Sequence, residues 1–387
     1  MPKDKMRLGI DARILSQPMN GVARYCLSLL KGLSGDGRFE VYLFSDTPLR
    51  EEYKSVFSKF PLILFNKPRL KKYWKNWVLP FQLSKYRIDL YHAIWDKGVP
   101  LFAVCPIVMS INDLYSISTE NTASTKVKKT RRLIGLFLEA LKARKILTIS
   151  ECTKKEIGER LCVRTEKIAV TYLDCDRQHI GSMIDKEGAW HLPYDLRDKE
   201  YFISVAGRLD DVRKNVPFLI KSFAKFLEMG KPRLHKLVIV GSFSDKSGSF
   251  IELKNLVRYY NIEPRVVFTG YIEDRILYNL IKRSGAMIYA STFEGFGIPL
   301  LEAFYLGTPV ITSDRSSLPE IASGNSAILI DPTSVAALAD AMNKLCDDDS
   351  LSNALTENGR KRLEDFNWDK TIKYITSVYY EKSSNTA

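Results

Sequence analysis

The chain is poor in the residues that build metal and disulfide sites. Its six cysteines (Cys26, Cys105, Cys152, Cys162, Cys175, Cys346) show no CxxC spacing, and its four histidines (His92, His179, His191, His235) form no HExxH pattern. The expectation is a reducing compartment and no metal site. No apolar run approaches the roughly 18 residues of a membrane span. The start, MPKDKMRLGIDA, passes from charge straight into a strand-like run without the apolar stretch of a signal peptide, so a cytoplasmic protein is expected. There is no short internal repeat and no low-complexity tract. Nor does a Gly-x-Gly-x-x-Gly follow the first strand, where the chain reads Gly9-Ile-Asp-Ala-Arg, and the later GFGIPL lacks a third glycine. That absence argues against a nicotinamide-dependent oxidoreductase.

Positive charge is in surplus: 58 Lys and Arg stand against 45 Asp and Glu, a net charge of +13. From Asn66 to Arg87 inclusive there are seven basic residues and no acidic one, interleaved with Tyr73, Trp74, Trp77, Phe81 and Tyr86. A second cluster runs from Lys126 through Lys128, Lys129, Arg131 and Arg132 to Lys142, Arg144 and Lys145, with Leu133, Ile134, Leu136, Phe137, Leu138 and Leu141 between. Cations beside large apolar groups suit the headgroup layer of an anionic bilayer; a solvated face explains either cluster alone equally well. Two clusters in one half tilt the reading toward peripheral contact at the inner face of the plasma membrane. No nucleic-acid partner is expected, since no zinc-finger, RRM or basic-zipper signature accompanies the charge.

At 387 residues, 45% hydrophobic and 27% charged, the chain reads as globular and as two domains. KMRLGIDA, FEVYLFS, IDLYHAI, PIVMSIND, KILTIS and KIAVTYL read as buried strands with helical spans between, the pattern of a parallel sheet covered on both faces. The polar stretch DCDRQHIGSMIDKEGAWHLPYDLRDKE reads as a connection. The alternation then restarts with YFISVAG, KLVIVG, RVVFTG, GAMIYAS, TPVITSD and SAILIDP, with crossover helices such as Val216 to Met229 and Glu273 to Arg283. The expected division is 1–195, 196–366, and a C-terminal helix and tail, 367–387. That helix, with Trp368, Ile372, Ile375, Val378 and Tyr379 near the helical period, fits against either domain. Two doubly wound sheets facing each other make a cleft at their strands' carboxyl ends.

The most informative segment is ASTFEGFGIPLLE, Ala290 to Glu302, where Glu294 and Glu302 stand eight positions apart around a Gly-Phe-Gly turn. A strand emptying into a glycine turn and a helix start aims unpaired backbone N–H groups outward, a seat for phosphate. Gly295 and Gly297 admit close approach, Glu294 offers a carboxylate to sugar hydroxyls, and Glu302 reaches a second polyol such as a ribose. A pyrophosphate flanked by two polyols describes a nucleotide sugar. Arg208 and Lys214, in GRLDDVRKN after the strand YFISVAG, are placed to converge on one pyrophosphate. Near the N-terminus, GIDARILSQPMNGVARY brings Gly21 to a helix start.

GRLDDVRKN, VIVG, FTGYI and STFEGFGIPLLEAFYLGTPVITSDRSSLPEI closely resemble the donor-binding domain of retaining glycosyltransferases of family 4, which have the GT-B fold. GIDARILSQPMNGVARY, DLYHAIWD, SINDLYSIS and ILTISECTKKEI resemble that family's acceptor domain, so the likeness covers nearly the whole chain. The resemblance implies that Glu294 contacts the donor sugar and Glu302 the ribose, that Gly295, Phe296, Gly297 and Leu301 line the donor, and that Arg208 and Lys214 hold the pyrophosphate. It further implies that Ile272 meets the base and that Gly21 closes over the donor phosphates. It also implies independence of metal and of any cofactor; no DxD-like cluster lies near these loops. Where many relatives carry His-Asp, this chain reads Asn112-Asp113, an amide that donates a hydrogen bond but exchanges no proton near neutral pH. Asp113 either orients the acceptor or caps the following turn. His92 either lines the acceptor pocket or is a core histidine.

The implied reaction transfers a hexose, first mannose from GDP-mannose and next a UDP-hexose, to a glycan or lipid-linked acceptor in cell-surface polysaccharide assembly. Arg208, Lys214 and the glycine loops stabilise the departing diphosphate, with Glu294, Asn112 and Asp113 beside the reacting carbon. A non-catalytic nucleotide-sugar-binding protein is the alternative.

Overall fold

The computed structural model describes residues 5–118, 125–185, 193–230 and 236–381. His191, His235 and Lys382 lie outside them, as does part of the expected connection. The chain folds as two units, Met1–Leu173 with Asn367–Ala387, and Asp174–Phe366.

The first unit runs β1 (Met6–Asp11), α1 (Gly21–Leu33), β2 (Phe39–Ser45), α2 (Lys54–Phe57), β3 (Leu62–Leu64), α3 (Leu79–Lys85), β4 (Leu90–Ala93), β5 (Ile107–Ser110), α4 (Lys126–Lys142), β6 (Lys145–Thr148), α5 (Glu151–Leu161) and β7 (Ile168–Val170). The seven strands pair in the order β3-β2-β1-β4-β5-β6-β7, all parallel. Burial on both faces explains their apolar runs: every residue of β4 and β5 is buried. The sequence reading has no counterpart for β3, a three-residue edge strand too short to show a period. Side-chain caps fix the helix starts, Asn20 accepting from Val22 and Ala23, and Ser150 from Thr153.

The second unit runs α6 (Arg177–Met183), β8 (Tyr201–Arg208), α7 (Val216–Glu228), β9 (Lys236–Ser242), α8 (Gly248–Tyr259), β10 (Val266–Gly270), α9 (Asp274–Arg283), β11 (Ala286–Tyr289), α10 (Ile298–Leu306), β12 (Val310–Ser313), α11 (Leu318–Ile321), β13 (Ile328–Ile330), α12 (Val335–Asp347) and α13 (Asp349–Leu363). Its six parallel strands order as β10-β9-β8-β11-β12-β13, over a core that includes Phe202, Leu219, Phe223, Ile239, Ile288 and Ile311. In each sheet the order reverses beside the first strand, between β1 and β4 and between β8 and β11. Such switch points open a crevice at the strands' carboxyl ends.

The division falls at 173/174 rather than 195/196. The stretch expected to be a plain connection contains α6, capped by Asp176, and α6 belongs to the second unit: Asn279 of α9 donates to the Met183 carbonyl at 3.0 Å, and His179 meets Asp274 at 2.8 Å. The last helix, α14 (Trp368–Tyr380), joins the first unit. It packs on α1, where a Cβ at Gly32 would collide with Ile372. Arg144 donates to the carbonyls of Val378 and Tyr379 at 3.0 and 3.1 Å, closing the helix's C-terminus.

α14 also decides the role of His92. Of the two places left open for His92, the acceptor pocket and the core, it takes the core: it is fully buried, Nδ1 2.7 Å from the Tyr379 hydroxyl and Nε2 2.8 Å from Ser110 Oγ. Both ring nitrogens are engaged by core side chains, so none is left for a substrate. Burial lowers its pKa from 6.5 to about 3. The unfolded chain therefore takes up a proton near pH 6.5 that the folded chain refuses until about pH 3. The stability contribution is complete above pH 6.5 and is lost as pH falls below it, by on the order of 1.4 kcal/mol per pH unit. Denaturant unfolding measured from pH 7 to pH 5 is expected to show this slope in the wild type and to lose it in His92→Gln.

Candidate active site

The carboxyl ends of β8 and β11 bring together residues far apart in sequence. After β8 the chain makes a turn in which the Asp211 carboxylate accepts from Arg213 N–H at 3.1 Å. Lys214 follows, and α7 begins after Asn215. After β11, residues 290–297 lead to α10. The two loops are sewn together: Thr292 N–H donates to the Arg213 carbonyl at 2.9 Å, and the Asn215 side-chain amide donates to the carbonyls of Pro332 and Ala290 at 2.8 and 3.4 Å.

This stitching sets Lys214 against Glu294. Lys214 Nζ donates to Glu294 Oε1 at 2.6 Å and to the Tyr289 hydroxyl at 2.7 Å, and that hydroxyl donates to the same Oε1 at 2.8 Å. The side chains of Lys214 and Glu294 are only 15% and 13% exposed. Burial works against the lysine's charge, but Tyr289 and Glu294 outweigh it and the pKa of Lys214 is raised; burial chiefly raises that of Tyr289. At neutral pH the cluster therefore holds an ammonium and an un-ionised phenol. In water-poor surroundings such a cation interacts strongly with any anion that reaches it.

The Glu294 turn is clamped from the loop after β12. Ser316 and Ser317 donate to the Glu294 carbonyl at 2.5 and 2.9 Å, and Ser317 also to the Phe296 carbonyl at 2.8 Å. Gly297 sits at φ +118°, where a Cβ would lie 2.8 Å from Leu318 Cδ2, so only glycine closes the turn there. Gly297 has no side chain to cap α10, and that helix begins with no side-chain hydrogen bond to its first-turn amides. Pro299 carries no N–H and the Leu300 N–H already donates to the Gly297 carbonyl at 3.0 Å, so the first turn does not present the row of unpaired amides that the sequence suggests.

The other site residues are less tightly gathered. Arg208 forks onto Asp210, at 3.0 and 2.6 Å, with its side chain 72% exposed, so the cation expected beside Lys214 is held instead by its own loop. Glu302, in the second turn of α10, is buried, and Ile272, just after β10, is half-buried. Leu301, expected to touch the donor, is fully buried, and its carbonyl accepts from the Cys175 thiol. Its side chain offers a ligand no exposed surface. In the first unit Gly21 is the first residue of α1, and Asn112 and Asp113 follow β5. Asp113 accepts from Tyr115 N–H at 2.9 Å, the turn-capping role. The sequence reading names neither Tyr289 nor the serines. Tyr289 as the last residue of a strand read as buried, and Asp-Arg-Ser-Ser after β12, are the signals that mark them.

The family model described as Glycosyl transferases group 1 matches residues 189–362, and the one described as Glycosyltransferase Family 4 matches residues 19–173. The chain is a family 4 glycosyltransferase. Over 396 residues the glycosyltransferase is 25% identical to the O-antigen chain mannosyltransferase B of Escherichia coli, with 97% of this chain and 99% of the relative covered. It is 29% identical over 186 residues to the alpha-1,3/1,6-mannosyltransferase ALG2 of Dictyostelium discoideum, covering 45% of this chain and 43% of that one. Anabaena Alr3699/HepE, solved in complex with UDP-glucose, matches with a TM-score of 0.74 at 19% identity, over 97% of this chain and 99% of that one. The shared fold is GT-B. The glycosyltransferase is a hexose-transferring enzyme, and the oxidoreductase and non-catalytic readings fall with that assignment.

Proposed function

We propose that this glycosyltransferase moves mannose from GDP-mannose, with retention of the anomeric configuration, to a hydroxyl of a glycan or lipid-linked acceptor in cell-surface polysaccharide assembly. The observation that carries the reading is the buried Lys214–Tyr289–Glu294 cluster beside the uncapped start of α10. It offers one cation to a diphosphate and one carboxylate to a sugar. Two relatives named as mannosyltransferases support the sugar. The fold neighbour solved with UDP-glucose makes a UDP-hexose the second reading.

In the proposed reaction the bond between C1 and the phosphate oxygen breaks, leaving positive charge on the ring and negative charge on the diphosphate. Lys214 and Arg208, once it leaves Asp210, meet the leaving group without a metal ion. Glu294 orients the hexose and faces the developing positive charge. The acceptor oxygen bonds C1 on the same face, and its proton passes to the departing phosphate oxygen. Asn112 and Asp113 are assigned to the acceptor side.

Calorimetric titration with a panel of nucleotide sugars tests the donor. GDP-mannose is expected to bind at least about tenfold, 1.4 kcal/mol, more tightly than UDP-glucose. The reverse order would replace the donor, and no heat with any member of the panel would sink the site assignment.

A further inference from the structure

Two segments that the sequence keeps apart meet on one face of the first unit. Lys75 Nζ holds Glu139 Oε1 of α4 at 2.6 Å, and Arg132 of α4 holds the Asp96 carboxylate at 2.5 Å. The Trp77 ring lies 5.3 Å from that of Phe102, and Leu101 N–H donates to Asn76 Oδ1 at 3.1 Å. The basic aromatic run 66–87 and the basic helix 126–142 are thus neighbours in the first unit, joined through Lys75 and Glu139. Two of the run's aromatics face inward: Trp74 is buried in the core and Tyr86 packs on it against Tyr42 and Phe44.

While Leu136 faces the core, α4 turns a second set of apolar residues outward. Val127, Ile134, Leu138 and Leu141 recur at intervals of seven, four and three, one side of a helix, and all four are exposed, Val127 at 78%. The helix's one acidic residue, Glu139, points inward, with its charge met by Lys75. Trp77 and Phe81, one helical turn apart, are each 66% exposed. Single exposed apolar groups are ordinary, whereas a contiguous set in a basic frame marks a contact surface. Exposed Lys126, Lys128, Arg131 and Lys142 supply the frame. A second copy of the chain would bring like charge against like. A duplex would engage the cations and leave the aliphatic stripe in water.

We propose that this face docks the first unit on an anionic lipid bilayer, with Ile134, Leu138, Trp77 and Phe81 entering the headgroup layer and the basic frame resting on lipid phosphates. The proposal deepens the lipid-linked-acceptor reading and rests on it for its purpose, but its test needs no acceptor. The full chain is sedimented with phosphatidylcholine vesicles, with and without phosphatidylglycerol. Wild type is expected to partition onto the anionic vesicles and to be released by salt. Lys128→Gln/Arg131→Gln is expected to weaken partitioning by roughly thirtyfold, and Ile134→Ser/Leu138→Ser by at least about tenfold. All four positions are at the surface, so thermal unfolding and transfer to a soluble acceptor should match wild type. No preference for anionic vesicles, or unchanged partitioning in both variants, overturns the proposal. So does finding that these substitutions abolish self-association or duplex binding instead. Loss of transfer with vesicle binding intact counts against the acceptor reading alone.

Discussion

Lys214→Met is expected to lower kcat/KM for hexose transfer by about three orders of magnitude and to weaken nucleoside diphosphate binding in parallel. The size follows from what the ammonium does: in a site from which water is largely excluded, removing one preorganised partner of the leaving group's charge loses on the order of 10²- to 10³-fold in rate, and a charged partner stands at the upper end. Methionine keeps the length and apolar stem of lysine, so packing against the Tyr289 ring, whose centre lies 4.8 Å from Nζ, is largely retained. What goes is the charge, and with it the partner of Glu294. A nearly buried carboxylate left with the Tyr289 hydroxyl but no cation should cost about 2–3 kcal/mol of stability, toward the lower side because that bond stays and both side chains keep some solvent contact. That loss must be separated from the loss of rate. The double variant Lys214→Met/Glu294→Leu removes both charges and should recover most of the stability while remaining inactive. If Lys214→Met binds the diphosphate as tightly as wild type, the lysine is a structural partner of Glu294 and the leaving-group assignment is lost.

Much of this site was legible in the chain because its parts obey local rules. A glycine at positive φ closing a strand-to-helix turn, two glutamates eight positions apart, and apolar runs of the length of buried parallel strands each have one common physical cause, and they occur in an order that resembles a single family. Asn20, Ser150 and Asn367 cap their helices by an equally local rule, their side chains satisfying amides within three residues, although the sequence reading does not name them. What was not legible depends on partners distant in sequence. For His92 the sequence left the pocket and the core both open, and the core is chosen because Tyr379, nearly three hundred positions later, reaches its Nδ1. Arg208 was expected on the pyrophosphate, yet two residues on stands Asp210, whose carboxylate matches the guanidinium fork without a ligand. The charge of GRLDDVRKN could be counted from sequence, but which cation stays exposed and which is buried is fixed by the 290–297 loop packing over Lys214 alone. The same limit hid α6 inside the presumed connection: with Asn279 and Asp274 as its neighbours, its place is set by α9.

Glu294→Gln should separate rate from binding in the opposite sense. The substitution is nearly isosteric, its amide oxygen still accepts from Tyr289 and Lys214, and the Ser316 and Ser317 bonds are to the backbone of residue 294, so the turn should stand. Lys214 loses the anion 2.6 Å away that competes with any incoming phosphate. Nucleoside diphosphate is therefore expected to bind as tightly as to wild type, or up to about tenfold more tightly. Transfer should nevertheless fall by about 10²-fold or more in kcat, because a neutral amide cannot face the positive charge that builds on the sugar ring. A fall in kcat without a rise in KM is the signature of an interaction made in the transition state. Lys214→Met and Glu294→Gln then agree in rate and disagree in diphosphate affinity, measured by titration with GDP for both. If Glu294→Gln weakens GDP binding as much as Lys214→Met does, the two residues act only as a pair that shapes the loop. The carboxylate would then have no charge-stabilising part in the reaction.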